Sequence, residues 1–317
     1  MKPFLLLFLL VSIAVNSQEF AKVDQLVLNY PKFSNVANLA SKIKKDFSTD
    51  KDKARAAFIW LANNINYDLE EYYNPKQRTY SFKYRNEAEK LEKIQLAKDQ
   101  IINTAFKTKK GVCEEYAQAF KKICDLLQIE AAVISGNVRN SASEIGIIKN
   151  TTNHAWNAVK IDHQWIFLDA TWAAGFLRNN KWIKSYNNYF YNIPKENIFK
   201  THLPKKSIWI LRFGRITPKE FYNQPIYKEV FLDSKATLLN PKQGIISPDK
   251  ENKIVLKFKN LNATTRIIYN FKGNRIAKKP LKTTTGKTTI ITIPNAKRNT
   301  ELNIFMNGTI AMQYKVH

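Results

Sequence analysis

The amino-acid sequence predicts an α+β core, helices with an antiparallel sheet, followed by a C-terminal β-sandwich. Three observations carry this. A run with helical periodicity opens at Gly-Val-Cys, residues 111–113. Two strand-like runs, 154–161 and 164–171, flank the dipeptide Asp162-His163. From residue 216 onward, short strand-like runs alternate with turn signals.

The chain begins with Lys2, an apolar stretch from Phe4 to Val15, and small residues near Ser17. That pattern describes a secretory signal peptide over residues 1–17. The stretch is shorter than the ~20 residues that span a bilayer. The mature chain is therefore expected to be exported, periplasmic or secreted, with no stable membrane insertion once the signal is removed. Residues 18–215 are assigned to the core and 216–317 to the sandwich. Residues 76–85 read as a loop and 87–106 as a helix leading to the cysteine.

After Cys113, apolar residues fall at Ala117, Phe120, Ile123, Cys124 and Leu127. This i, i+3, i+4 spacing marks an amphipathic helix with Cys113 in its first turn. Gly111 is expected to give the backbone freedom to enter the helix. Unpaired N–H groups and the positive end of the helix dipole favour a thiolate there and supply donors for an oxyanion. Cys124, mid-helix on the apolar stripe, reads as a structural cysteine. Eleven residues of helix separate the two by about 16 Å, beyond the ~7 Å Cα separation that a disulfide tolerates.

The runs on either side of Asp162-His163 predict a β-hairpin with a two-residue turn. If Ile161 pairs with Gln164, His154 lies opposite Thr171. His154 and Asp169 then become diagonal neighbours on one face, with Cβ atoms about 7 Å apart or less. A loop of odd length would put Asp169 on the other face. The chain has four histidines. One of them is placed to meet an aspartate, downstream of a helix-opening cysteine. A thiol needs a base to become a nucleophile, and the base needs a third group to orient it. Cys113, His154 and Asp169 supply the three. Trp156 and Trp172 flank them in sequence and either wall a substrate cleft or belong to the core.

At these residues the chain resembles the transglutaminase-like superfamily, in particular its bacterial and kyphoscoliosis-peptidase-like members, whose papain-like core uses Cys, His and Asp in this order. The resemblance extends to Ala-Arg-Ala-Ala-Phe-Ile-Trp-Leu-Ala-Asn-Asn-Ile-Asn-Tyr-Asp (54–68), to 188–204 with its Thr-His-Leu-Pro ending, and to Ile-Trp-Ile-Leu (208–211). It implies a further helix over 54–68, and acyl transfer on a peptide or carboxamide bond: Cys113 as nucleophile, His154 as base and acid, Asp169 as orienter. Tissue transglutaminases have Gly-Gln-Cys-Trp where this chain has Gly-Val-Cys-Glu, which favours hydrolysis over cross-linking. Many bacterial relatives have glycine at the positions of Glu115 and His163. The Cys113 N–H is one expected oxyanion donor. The sequence shows neither a calcium loop nor a Cys/His metal cluster, so no cofactor or metal is expected.

Strand-like runs at 253–258, 265–271, 287–293, 301–306 and 309–316 predict the sandwich. Asn307-Gly308 between two of them is the strongest hairpin signal. No helix is expected in this part. The whole chain carries a net charge of +25, with 18 basic and 6 acidic residues after position 215. Such charge could attract anionic partners, including cell-envelope material, but a lysine- and asparagine-rich codon bias gives the same composition with no partner, and that reading is favoured. A nucleic-acid interface would want basic residues interleaved with exposed aromatics, or a recognised fold. Neither is evident, so no nucleic-acid partner is expected. The expected partner is a protein or peptide substrate. The rival class is a surface-binding protein that keeps the fold without turnover.

Overall fold

The computed structural model describes residues 20–75 and 83–317. The predicted signal peptide and most of the predicted 76–85 loop lie outside the described residues. The chain divides into two compact units. One contains residues up to Ile134 and Ala155–Ile193; the other contains Ser135–His154 and Pro194–His317.

The first unit opens with α1 (Ala21–Leu28), α2 (Val36–Asp46) and α3 (Asp50–Asn64). Asn35 and Thr49 cap α2 and α3, accepting backbone N–H groups as expected of N-cap residues. Every residue from Ala54 to Ala62 in α3 is buried, so this helix is core on all sides. Arg55 stays charged inside because Nε and Nη2 form a two-pronged contact with Asp24 of α1, at 2.8 and 2.6 Å. Trp60 of α3 stacks on Phe106, with centroids 5.0 Å apart.

The chain continues through β1 (Asn66–Tyr67), α4 (Leu69–Tyr73), α5 (Glu87–Thr108), β2 (Lys110–Gly111) and α6 (Cys113–Leu126). The predicted helix at 87–106 and the cysteine helix are both present. Ala117, Phe120, Ile123 and Cys124 are buried along α6, the stripe that the periodicity marked. After α6 come β3 (Ala131–Val138), β4 (His154–Ile161) and β5 (Gln164–Leu168). Then follow α7 (Ala170–Ala174), β6 (Gly175–Arg178) and β7 (Lys181–Lys184).

In the second unit the distal half of β3 pairs antiparallel with β8 (His202–Pro204), which follows α8 (Lys195–Thr201). Two short helices come next, α9 (Ser207–Phe213) and α10 (Pro218–Asn223), then β9 (Ile226–Tyr227) and α11 (Glu229–Asp233). α10 and α11 correct the expectation that nothing helical follows residue 215. α10 announced itself in Thr217-Pro-Lys-Glu220. Thr217 caps the helix, Pro218 takes its first position, and Glu220 reaches back to the Thr217 N–H at 2.7 Å.

The remaining strands are β10 (Thr237–Asn240), β11 (Ile245–Ile246), β12 (Ile254–Lys259), β13 (Ile267–Phe271), β14 (Leu281–Thr285), β15 (Thr288–Ile293), β16 (Thr300–Met306) and β17 (Thr309–Val316). They form two sheets, ordered β10-β12-β15-β14 and β11-β17-β16-β13, with β9 also pairing β17. β12 alternates strictly between buried and exposed residues, so its sheet has one apolar face, as a sandwich requires. Asn307 and Gly308 both adopt positive φ in the β16–β17 turn, as a type I′ turn demands. β14 was not legible in the sequence: all five of its residues are exposed, so no alternation marks it.

Candidate active site

Cys113 is the first residue of α6, as the periodicity predicts, and it is half-buried. Its position is set from several sides. β1 and β2 pair in parallel with Tyr67 opposite Gly111. The Asp68 N–H donates to the Gly111 carbonyl at 3.0 Å. Glu115 folds back so that Oε2 accepts the Val112 N–H at 2.9 Å, which fixes the peptide entering Cys113. Farther along α6, the Tyr116 hydroxyl donates to the Ile65 carbonyl at 2.5 Å. Asn157 of β4 donates through Nδ2 to the carbonyls of Ala117 and Ala132, at 2.9 and 3.2 Å.

The reason for glycine at 111 differs from the one the sequence suggested. A Cβ there would lie 2.7 Å from Glu115 Cβ. Close approach by a buried glutamate, rather than backbone freedom, is what requires a residue without a side chain. Glu115 is 5 % exposed. Sequence reading noted it only as a departure from relatives; its signal as part of the site was the N3 position of the helix, where glutamate serves the N-terminal donors.

The hairpin forms in the expected register. Ile161 pairs with Gln164, and the pairing runs on to Asn157 opposite Leu168. Asp162 and His163 take φ values of 47° and 63°, so the turn is of the two-residue type with both central residues left-handed. The second strand is shorter than predicted. It stops at Leu168, and Asp169 becomes the N-cap of α7. Asp169 Oδ1 accepts the N–H groups of Thr171 at 2.9 Å and Trp172 at 3.0 Å. The Asp-Ala-Thr sequence favours such a local bond over continued strand pairing.

Even with the strand cut short, Asp169 meets His154. Both are buried, and donor atoms of His154, Asp169 and His202 all lie within 4.8 Å of one another. His202 received no role from sequence reading, although it sits in the Thr-His-Leu-Pro segment. It is fully buried; its Nδ1 lies 2.7 Å from Thr201 Oγ1, and its ring is 5.8 Å from the His154 ring. Two imidazoles and a carboxylate at this spacing are also a donor set that could hold a zinc-type cation.

Tyr67 is the other residue that sequence reading left without a role. Its phenol is pushed well up, by burial first and then by electrostatic interaction with Cys113, Tyr72 and Asp169. Cys124 is fully buried, and burial pushes its thiol up, as befits a structural cysteine. Trp156 is buried on β4. Trp172 is half-buried and packs edge-on against Phe190, with centroids 5.4 Å apart.

Residues 37–170, which contain Cys113, His154 and Asp169, match the sequence profile of the Transglutaminase-like superfamily. Among proteins that the chain is similar to is human kyphoscoliosis peptidase, 22 % identical over 240 residues, covering 75 % of this chain and 33 % of that protein. Hillarin of Drosophila melanogaster is 22 % identical over 233 residues, covering 67 % of this chain and 25 % of that protein. The chain thus spans a third or less of these curated relatives. Among solved structures, a chain described as a TGase has 21 % identity and a TM-score of 0.29, covering 56 % of this chain and 38 % of that one.

Proposed function

We propose that the protein is an exported cysteine-dependent enzyme that cleaves or transfers acyl groups at peptide or carboxamide bonds. The observation that carries this is the buried approach of His154 to Asp169 in a transglutaminase-like core whose cysteine opens a helix. In this reading His154 takes the Cys113 proton, and the sulfur attacks the carbonyl carbon. His154 then returns the proton to the leaving amine, so an amine or ammonia departs and a thioester remains. Water attacks the thioester, regenerating the thiol and releasing the acid. An amine in place of water would give cross-linking. Valine rather than glutamine before Cys113 favours water. Asp169 stabilises the imidazolium and fixes its tautomer. The Cys113 N–H, at a helix start, is one donor for the tetrahedral oxyanion.

Alkylation by iodoacetamide, followed by peptide mapping, tests the nucleophile. Cys113 is expected to react faster than a free thiol near neutral pH and to slow in His154→Ala. Cys124 should be labelled only after denaturation, since it is fully buried. If native Cys113 reacts no faster than a free thiol, the enzyme reading fails and the binding-protein alternative replaces it.

A further inference from the structure

Next to Cys113 the first unit assembles an aromatic wall that the chemistry above does not use. Tyr67, opposite Gly111, stacks on Trp182 of β7 with centroids 5.2 Å apart and planes at 28°. Tyr72 of α4 packs against Tyr67 at 5.6 Å, and Tyr73 against Tyr72 at 5.1 Å. Tyr73 closes the ring of contacts by donating its hydroxyl proton to Asn180 Oδ1, in the β6–β7 turn, at 3.2 Å. β6–β7 follows directly from α7, the helix that Asp169 caps. Gly175 makes the hairpin possible. Its φ is +156°, and a Cβ there would lie 2.2 Å from the Ile183 carbonyl oxygen.

Although stacked and fixed, the wall is not closed over by the described residues. Tyr72 is 45 % exposed, Tyr73 50 % and Leu177 38 %. Leu177 pairs with Trp182 and shares its face of the hairpin. Rigid aromatic surface of this kind, exposed beside a nucleophile, is suited to binding.

We infer that Trp182, Tyr67 and Tyr72 form the subsite for a bulky apolar or aromatic side chain of the substrate, next to the carbonyl that Cys113 attacks. The inference rests on Cys113 being the nucleophile. Charge does not choose the occupant. On the elements that make the wall, Asp68, Glu70 and Glu71 are matched by Arg178, Lys181 and Lys184. Selection therefore falls to the ring faces, which favour phenylalanine or leucine over glycine and over either charge.

Peptidyl chloromethyl ketones read the subsite without knowledge of the natural substrate. The Cys113 sulfur displaces chloride, a C–S bond replaces the C–Cl bond, and the peptide stays attached. The probes carry Phe, Leu, Gly, Lys or Asp at the residue bearing the ketone. The full chain is expected to alkylate with the Phe and Leu probes about 10- to 100-fold faster than with Gly. Trp182→Ala and Tyr72→Ala should bring the Phe-to-Gly ratio to within ~3-fold. Phe176→Ala, on the opposite hairpin face and 47 % exposed, should leave the ratio as it is. Because each variant is read as a ratio, a general loss of reactivity does not mimic the effect. Tyr72→Ala changes an exposed side chain and covers the case in which Trp182→Ala fails to fold. Equal rates for Phe and Gly, a preference for Lys or Asp, or a ratio that survives both substitutions would overturn the subsite. Slow iodoacetamide labelling of native Cys113 would instead overturn the nucleophile assignment on which it rests.

Discussion

Asp169 holds two jobs, and substitution separates them. Its Oδ1 accepts the buried Thr171 N–H and the half-buried Trp172 N–H, while the carboxylate lies beside His154. Asp169→Ala removes both. Stranding a buried donor costs about 1–3 kcal/mol, and losing an N-cap typically costs 0.5–2. With one donor wholly buried and one half-buried, the loss should be about 2–4 kcal/mol. Asp169→Asn keeps an oxygen at the cap, where Asn and Asp serve equally well, so it should cost no more than ~1 kcal/mol. Both variants remove the charge that supports the His154 imidazolium. Cys113 alkylation near neutral pH should therefore fall in both by about 10²-fold, the scale of a misdirected general base. Urea unfolding gives the stabilities, and mapped iodoacetamide labelling gives the rates. The expected result is one variant that is stable and slow and another that is unstable and slow. A stable Asp169→Asn that labels Cys113 at the wild-type rate would refute the orienting role. An Asn variant as unstable as the Ala variant would refute the cap assignment.

Gly111→Ala forces its Cβ to 2.7 Å from Glu115 Cβ and should cost about 1–3 kcal/mol in urea unfolding; in a Glu115→Gly background, itself destabilised by losing the bond to the Val112 N–H, the same change should add little further loss. Arg55→Ala leaves Asp24 without its two-pronged partner and empties a site stacked between Phe20 and Tyr191, so a loss of about 3–5 kcal/mol is expected, and unchanged thermal stability would contradict it. Lys184 donates to the Ile65 carbonyl, and burial pushes its ammonium from 10.5 down to about 8. Between those values the unfolded chain holds a proton that the folded chain has released, so this residue adds stability as pH rises from about 8 to 10.5. Compared with Lys184→Met across that window, the wild type should gain stability; parallel profiles would show that the ammonium is solvated.

Much of the site was legible in sequence because its parts are local. The helix start at Cys113 follows from a 3.6-residue period, and the His154 strand follows from runs of strand formers around a dipeptide. The hairpin register was fixed by an even turn, and a single extra residue would have reversed the faces. Asp169 was placed correctly beside His154, but through the wrong backbone. Its short side chain captures two N–H groups and ends the strand early, a competition that periodicity does not reveal. Local signals also missed β14, whose five residues are all exposed, and the two short helices after residue 215, where only the cap at Thr217 gave notice.

Sequence alone determined the helix-opening cysteine, the turn that aims His154 and Asp169, and the strand-rich C-terminal part, because each depends on residues close along the chain. Only the tertiary structure decided what surrounds them. It set His202 against His154, Tyr67 opposite Gly111, Glu115 against the backbone before Cys113, and Trp182 over Tyr67. Tyr67 and Trp182 are 115 residues apart in sequence, and no periodicity links them. Their stacking follows from a parallel strand pair and a hairpin converging on one helix start, and that convergence exists only once the chain has folded.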